Sequence, residues 1–214
     1  MPVPTLDPLA ALEDESLREL ARHGAIRTYP RGAIIINEGE PGDALYVILS
    51  GRVKVYVADE QGQEMVLGTC EQGEIIGEMT LDGGPRTASV ICMEPTSFAV
   101  VGAADLRAAI AADPDFAMRM IASLIARARL MTDLVKDLAL LDVYGRVREL
   151  LLKLAVETEG KWVVVEKLTQ QDIAARVGAS RDMITRIFKD LTAGGYVSVE
   201  NRRISILRKL PARR

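Results

Sequence analysis

The stretch "TQQDIAARVGASRDMITRIFKDL", Thr169–Leu191, sets Ile173, Ala174 and Val177 on one side of Gly178-Ala179 and Ile184, Ile187, Phe188 and Leu191 on the other. Those spacings of three and four mark the apolar faces of two short helices. Thr169 and Ser180 stand where a side-chain oxygen can cap each helix, small Ala174 lets the pair approach closely, and Gly178 permits a tight turn between them. The pattern predicts a helix-turn-helix. A purely structural helix pair shares the apolar pattern, but here the second helix turns Arg181, Asp182, Thr185, Arg186 and Lys189 away from its apolar face. That is the chemistry of a side chain set reading base edges in a major groove.

The flanking sequence suits a polyanionic partner. From Leu141 onward there are 15 lysines and arginines against 9 aspartates and glutamates, or +6, which leaves -9 for the first 140 residues of a chain whose total is -3. A basic module beside an acidic one is expected where the back half meets nucleic acid. Upstream of the motif, "DVYGR" is expected to break the preceding helix at Gly145. A helix from Arg146 to Glu157 and a strand in "KWVVVE" then lead to Thr169. Downstream, "YVSVE" and "RISIL" pair around the turn Glu200-Asn201-Arg202-Arg203.

Towards the N-terminus, Asp113-Pro114-Asp115 is a helix start, with Asp113 as cap and Pro114 at the first helical position. Neither glycine nor proline follows until Gly145. Ile121, Leu124, Ala128, Met131, Val135 and Leu138 alternate by three and four, a two-position heptad seam. This helix either packs on its own β-domain or pairs with a second copy. Its polar far side at Arg119, Arg127, Asp133 and Lys136 favours a dimer.

Ahead of that helix, the period is that of strands. After a short helix, Glu13 to His23, the runs "AIIINEG", "ALYVILSG", "RVKVYVAD", "EMVLGTC" and "ASVICM" are β-branched and separated by turn residues, predicting a sandwich or barrel between Gly24 and Val101. In "RVKVYV", Val53, Val55 and Val57 alternate with Lys54 and Tyr56, so one face is expected to meet solvent or a cavity.

Composition closes off several classes. With 214 residues, 49% hydrophobic and 27% charged, the chain reads as globular and long enough for two compact domains. No run reaches the roughly 20 apolar residues of a spanning helix, and no leader is recognised at Met1 to Leu12, so a cytoplasmic location without membrane contact is expected. Cys70 and Cys92 read as small buried hydrophobes. With His23 as the sole histidine, no metal site is expected, and no nucleophile stands beside a base, which disfavours an enzyme.

A last segment, "GEIIGEMTLDGGPRTASV" from Gly73 to Val90, puts the carboxylate of Glu78 and the guanidinium of Arg86 around a Gly-Gly-Pro turn. They form a salt bridge across a hairpin or grip a ligand bearing hydroxyls and negative charge. This segment and the helix-turn-helix resemble the cyclic AMP receptor protein and fumarate-nitrate regulator family of bacterial transcription regulators. "SR[ED]xxxRxxK" of that family is matched by Ser180, Arg181, Asp182, Arg186 and Lys189. The resemblance covers nearly the whole chain. It implies an α+β architecture: a cyclic-nucleotide-binding β-roll (residues 1–112), a long dimerisation helix (113–141) and a winged helix-turn-helix (142–214).

It further implies that Arg86 and Thr87 hold a cyclic phosphate, that Glu78 accepts from a ribose hydroxyl, and that Gly77 lets the backbone approach. Met131 and Thr132 would face the base. Glu78 and Arg86 would each have the other, or the ligand, as partner. Arg181 and Arg186 would read guanines and Asp182 a cytosine. Thr169, Gln171 and Ser180 would meet phosphates, and Arg202 and Arg203 in the wing would add electrostatic affinity. The implied effector is cyclic AMP, or else cyclic di-GMP. Without a ligand the regulator would act constitutively. The implied partners are two-fold symmetric double-stranded DNA, a second copy of the chain, and RNA polymerase.

Overall fold

The computed structural model describes residues 7–158 and 161–212; the opening residues 1–6, within the stretch searched for a leader, lie outside the described residues. The chain packs as two units. One takes in the described residues up to Val57 together with Leu67–Ala128, and the other Ala58–Val66 together with the residues from Arg129 onward.

The described residues up to Gly102 form α1 (Glu15–Arg22) and the strands β1 (Ala25–Tyr29), β2 (Ile34–Ile36), β3 (Ala44–Ser50), β4 (Arg52–Ala58), β5 (Glu64–Glu71), β6 (Ile75–Ile76), β7 (Ser89–Cys92) and β8 (Thr96–Gly102). They are followed by α2 (Ala103–Ala112) and α3 (Pro114–Leu140). Two four-stranded sheets form, in the orders β1-β8-β3-β6 and β2-β7-β4-β5. The five apolar runs supply β2, β3, β4, β5 and β7, and β1, β6 and β8 complete the sheets.

The period-2 alternation of β3 and β8 builds both sides of the core. Leu45, Val47, Leu49, Ala99 and Val101 turn to the helices, where they meet Leu17, Leu20, Leu106 and Phe116. Ile48 and Phe98 turn the other way, to Ile36, Val53, Val90 and Cys92. Both faces of these two strands are therefore apolar.

In β4 the expected alternation is not clean. Val53 is buried, but so is Tyr56, with the Lys54 ammonium 4.7 Å from its ring centre. A tyrosine ring is apolar enough to be covered by a lysine stem, so the face read as solvent-facing is partly closed.

The second unit contains α4 (Val143–Leu154), β9 (Ala155–Thr158), β10 (Lys161–Val164), α5 (Gln170–Val177), α6 (Arg181–Ala193), β11 (Val197–Glu200) and β12 (Arg203–Ile206). Its sheet runs β11-β12-β10-β9. Val147, Leu151, Ile173, Ile184, Ile187 and Ile204 form its fully buried centre.

Two sequence boundaries are corrected. The helix break lies at Leu141-Asp142 rather than Gly145, because the Asp142 carboxylate accepts from the Gly145 N–H at 2.7 Å and so caps a new helix. Gly145 falls in the first turn of that helix. The helix expected to reach Glu157 ends at Leu154, since Ala155–Thr158 pairs with Lys161–Val164 and the sheet claims those residues.

On α3 the heptad seam is largely uncovered in the single chain. Ile121, Leu124, Val135 and Leu138 are between 37% and 64% exposed.

Candidate functional site

The segment after β6 is shaped by Gly77, whose φ of +83° puts it in the left-handed region. A 3-10 turn over Glu78–Leu81 follows, and Asp82 then accepts from the Gly84 N–H at 2.8 Å to close the next turn. Arg86 is tied to the loop before β3. Its N–H donates to the Glu40 carbonyl and its own carbonyl accepts from the Gly39 N–H, both at 2.8 Å.

The Arg86 side chain is the most deeply placed charge in this region, at 7% exposure. Its guanidinium donates to the carbonyls of Gly77 at 2.7 Å and Ala44 at 2.6 Å. It lies flat against Gly42, where a Cβ would come within 2.3 Å of the guanidinium carbon. Nothing in the sequence points from Gly42 to Arg86.

The expected pairing of Glu78 with Arg86 does not occur. Glu78 accepts instead from Arg127 of α3 at 2.8 Å, and Arg127 also donates to the Ile75 carbonyl. The reason is reach. Gly77 turns the chain so that the Arg86 guanidinium is taken up by backbone carbonyls, while Glu78 points to the helix.

Arg127 was read as part of the polar far side of α3, yet it directly precedes the seam residue Ala128. One helical step turns the direction by only about 100°. That phase was the available signal. Arg127 also lies 4.0 Å from the Cys70 sulfur. Burial pushes the Cys70 thiol up to about 11, with Arg127 opposing it. Cys70 is thus a neutral core group at ordinary pH, not a reactive thiolate.

Gly77, Glu78, Arg86, Thr87 and Arg127 line one cavity of about 80 Å3, with Val55 and other apolar residues opposite. Thr87 is exposed at its mouth. Among the described residues no carboxylate pairs with Arg86, and Glu78 and Arg127 cancel each other. The cavity therefore carries one net positive charge, buried and answered only by carbonyl dipoles. Such a site favours an anion with hydroxyls beside it. Met131, half-buried, and Thr132, exposed, lie on the part of α3 that belongs to the second unit.

In the second unit, Thr169 and Asp172 form a reciprocal capping box at the start of α5. Gly178 ends that helix with φ +61°, and Ser180 caps α6 by accepting from the Met183 N–H. The Thr169 hydroxyl also donates to Asp172 at 2.6 Å, so it is engaged within the cap. Gln171, Ser180, Arg181, Asp182, Arg186 and Lys189 are all exposed. Among the described residues no carboxylate pairs with Arg181, Arg186 or Lys189. Thr185 donates to Gln170 at 2.5 Å and thereby ties the two helices together. The β11–β12 hairpin turns at Asn201 and Arg202, with φ of +51° and +64°. Arg202 and Arg203 are exposed at its tip.

The chain matches the family model "Cyclic nucleotide-binding domain" over residues 26–113 and "Crp-like helix-turn-helix domain" over residues 145–209. It is 33% identical over 198 residues to the "cAMP-activated global transcriptional regulator CRP" of Escherichia coli, spanning 90% of this chain and 94% of that protein. The "CRP-like cAMP-activated global transcriptional regulator" of Mycobacterium tuberculosis is 34% identical over 183 residues, spanning 83% of this chain and 82% of that one. Among solved structures, the c-di-GMP responsive global regulator CLP of Xanthomonas campestris superposes with a TM-score of 0.80 at 25% identity. That match covers 91% of this chain and 99% of CLP.

Proposed function

Because the chain belongs to the CRP/FNR family of cyclic-nucleotide-binding transcription regulators, and is a regulator rather than an enzyme, we propose that it is a homodimer whose DNA binding is controlled by a single cyclic mononucleotide, cyclic AMP. The observation that carries a single cyclic mononucleotide is the charge of the cavity, and the choice of cyclic AMP is supported by the cAMP-activated relatives. Arg86 supplies one buried positive charge, and Glu78 with Arg127 supplies none in sum. One cyclic phosphodiester, a monoanion, matches that count. Arg86 and Thr87 hold its oxygens, Glu78 accepts from the ribose 2′-hydroxyl, and Gly77 and Gly42 make room for the guanidinium.

At about 80 Å3 the cavity is below the roughly 300–1,000 Å3 of small-molecule sites, so it takes the phosphate end while the base extends out of it. Binding shifts the chain towards the arrangement in which two recognition helices fit half-sites about one DNA turn apart. Arg181 and Arg186 then read guanines and Asp182 a cytosine. Gln171, Ser180 and Lys189 meet phosphates, Thr169 does so from within its cap, and Arg202 and Arg203 add affinity from the wing. The second copy covers the exposed seam of α3. The complex works in the cytoplasm with RNA polymerase.

A second reading, cyclic di-GMP as effector, is supported by the likeness to CLP. It must place a pair of phosphodiesters where the cavity offers one net charge. Calorimetric titration with cyclic AMP, cyclic GMP and cyclic di-GMP, with DNA affinity measured in each case, decides between the readings. Tighter DNA binding with cyclic AMP alone is expected. DNA affinity unchanged by all three nucleotides would instead mean a constitutive regulator.

A further inference from the structure

Away from the cassette, the segment from Gly77 to Thr87 that lines the Arg86 cavity, the first unit holds a larger concavity. A cleft of about 440 Å3 opens between α1, α2 and the start of α3, within the size range of small-molecule sites. Its origin is in the sequence. Where α2 faces α1 it offers Ala108, Ala109 and Ala112, whose methyl groups are too short to fill the gap. Leu20 and Phe116 form an apolar floor.

The rim is acidic. Glu15, Glu19, Asp105 and Asp113 line it, and among the described residues no lysine or arginine does. Nearby cations answer it only in part. Arg18 pairs with Glu15, Arg22 with Glu19, and Arg119 divides itself between Asp14 and Asp113. Asp105 has no ion-pair partner among the described residues. The carboxylates are also too dispersed to converge on a metal ion, since no group of three or more metal-ligating side chains is found among the described residues. An apolar floor beneath an under-compensated acidic rim suits an organic cation.

We propose that this cleft is a second ligand site, which takes a small organic cation with an aromatic or branched apolar body. The ammonium group sits at Asp105, and the body lies over Leu20, Ala112 and Phe116. The site shares no lining residue with the cassette cavity, so its occupancy does not require the cyclic nucleotide.

The chain carries its own reporter. His23 is its only histidine and lines the cleft, so the single imidazole Cε1–H resonance reads occupancy without overlap. Titrating the full chain with tryptamine to about 10 mM is expected to shift that resonance saturably. Indole-3-propionate, with the same ring and the opposite charge, is expected to bind at least about tenfold more weakly. Asp105→Asn weakens tryptamine by about tenfold. Ala112→Leu, at an exposed helical position, abolishes binding by filling the cleft, while Arg86→Gln leaves it unchanged. Absence of a saturable shift overturns the proposal. So does equal binding of the propionate, or undiminished binding in a correctly folded Ala112→Leu chain.

Discussion

The cassette and helix α6 both present arginines, but on opposite terms. Arg86 is almost wholly buried, held by two carbonyls and pressed against Gly42 and Gly77. Arg181 and Arg186 stand in solvent with no carboxylate pairing with them among the described residues. The first arrangement is preorganised, so the ligand proposed for it would meet donors already fixed in place and dehydrated. The second leaves its charges in water, so a nucleic acid bound as proposed would supply the order. A sensor selects by shape and charge count, whereas a reader selects by which base edges its forks can reach.

The contrast is tested hardest at Arg86. Arg86→Gln is expected to weaken cyclic nucleotide binding by about a hundredfold or more, because a desolvated charge-assisted contact is lost. Calorimetry measures this, with circular dichroism showing that the roll persists. A loss of only twofold or threefold would mean that the buried guanidinium is structural. On the other side, Arg181→Ala and Arg186→Ala should each lower affinity for the specific site by about ten- to a hundredfold and relax sequence preference. Lys189→Gln should weaken all sequences alike and reduce the salt slope by about one. Fluorescence anisotropy on specific and scrambled duplexes separates the two kinds of loss.

A smaller effect is expected where the cassette meets α3. Glu78→Gln and Arg127→Gln should each weaken the nucleotide by about tenfold, with a coupling of about 1 kcal/mol in the double-mutant cycle. Additive losses would show that the Glu78–Arg127 pair is incidental. Smaller again is the wing. Arg202 holds a left-handed conformation that glycine adopts without strain, so Arg202→Gly should stabilise the hairpin by about 1 kcal/mol while slightly weakening DNA binding. Thermal melting and anisotropy read the two signs.

The least effect is expected at Asp113, whose carboxyl is held below the usual aspartate value chiefly by the Ser16 hydroxyl, then by the Phe116 N–H. Its folded value lies below its unfolded one, so its contribution is present above the unfolded value and fades as pH falls through the folded one. Asp113→Asn should flatten that acid-side slope in urea titrations.

The helix-turn-helix was legible because everything that makes it is local. Caps at Thr169 and Ser180, a left-handed glycine at Gly178 and apolar spacings within two turns each act on near neighbours. The heptad seam of α3 was legible for the same reason. The partner of Glu78 was not, because it lies 49 residues away on a helix. In the sequence, Arg86 is nearer and the more natural choice. Gly42 was equally silent, since its closeness to Arg86 arises only when the loop before β3 pairs with the segment before β7.

The sequence alone determined the order of modules, the helical period of α3 and the face of α6 that carries charge. These follow from capping, glycine geometry and periodicity, which act over a few residues. Only the tertiary structure decided which charges meet. The sheets bring Gly42, Gly77 and Arg86 together and α3 lays Arg127 against Glu78, and at such range backbone carbonyls can outbid a carboxylate for a buried guanidinium.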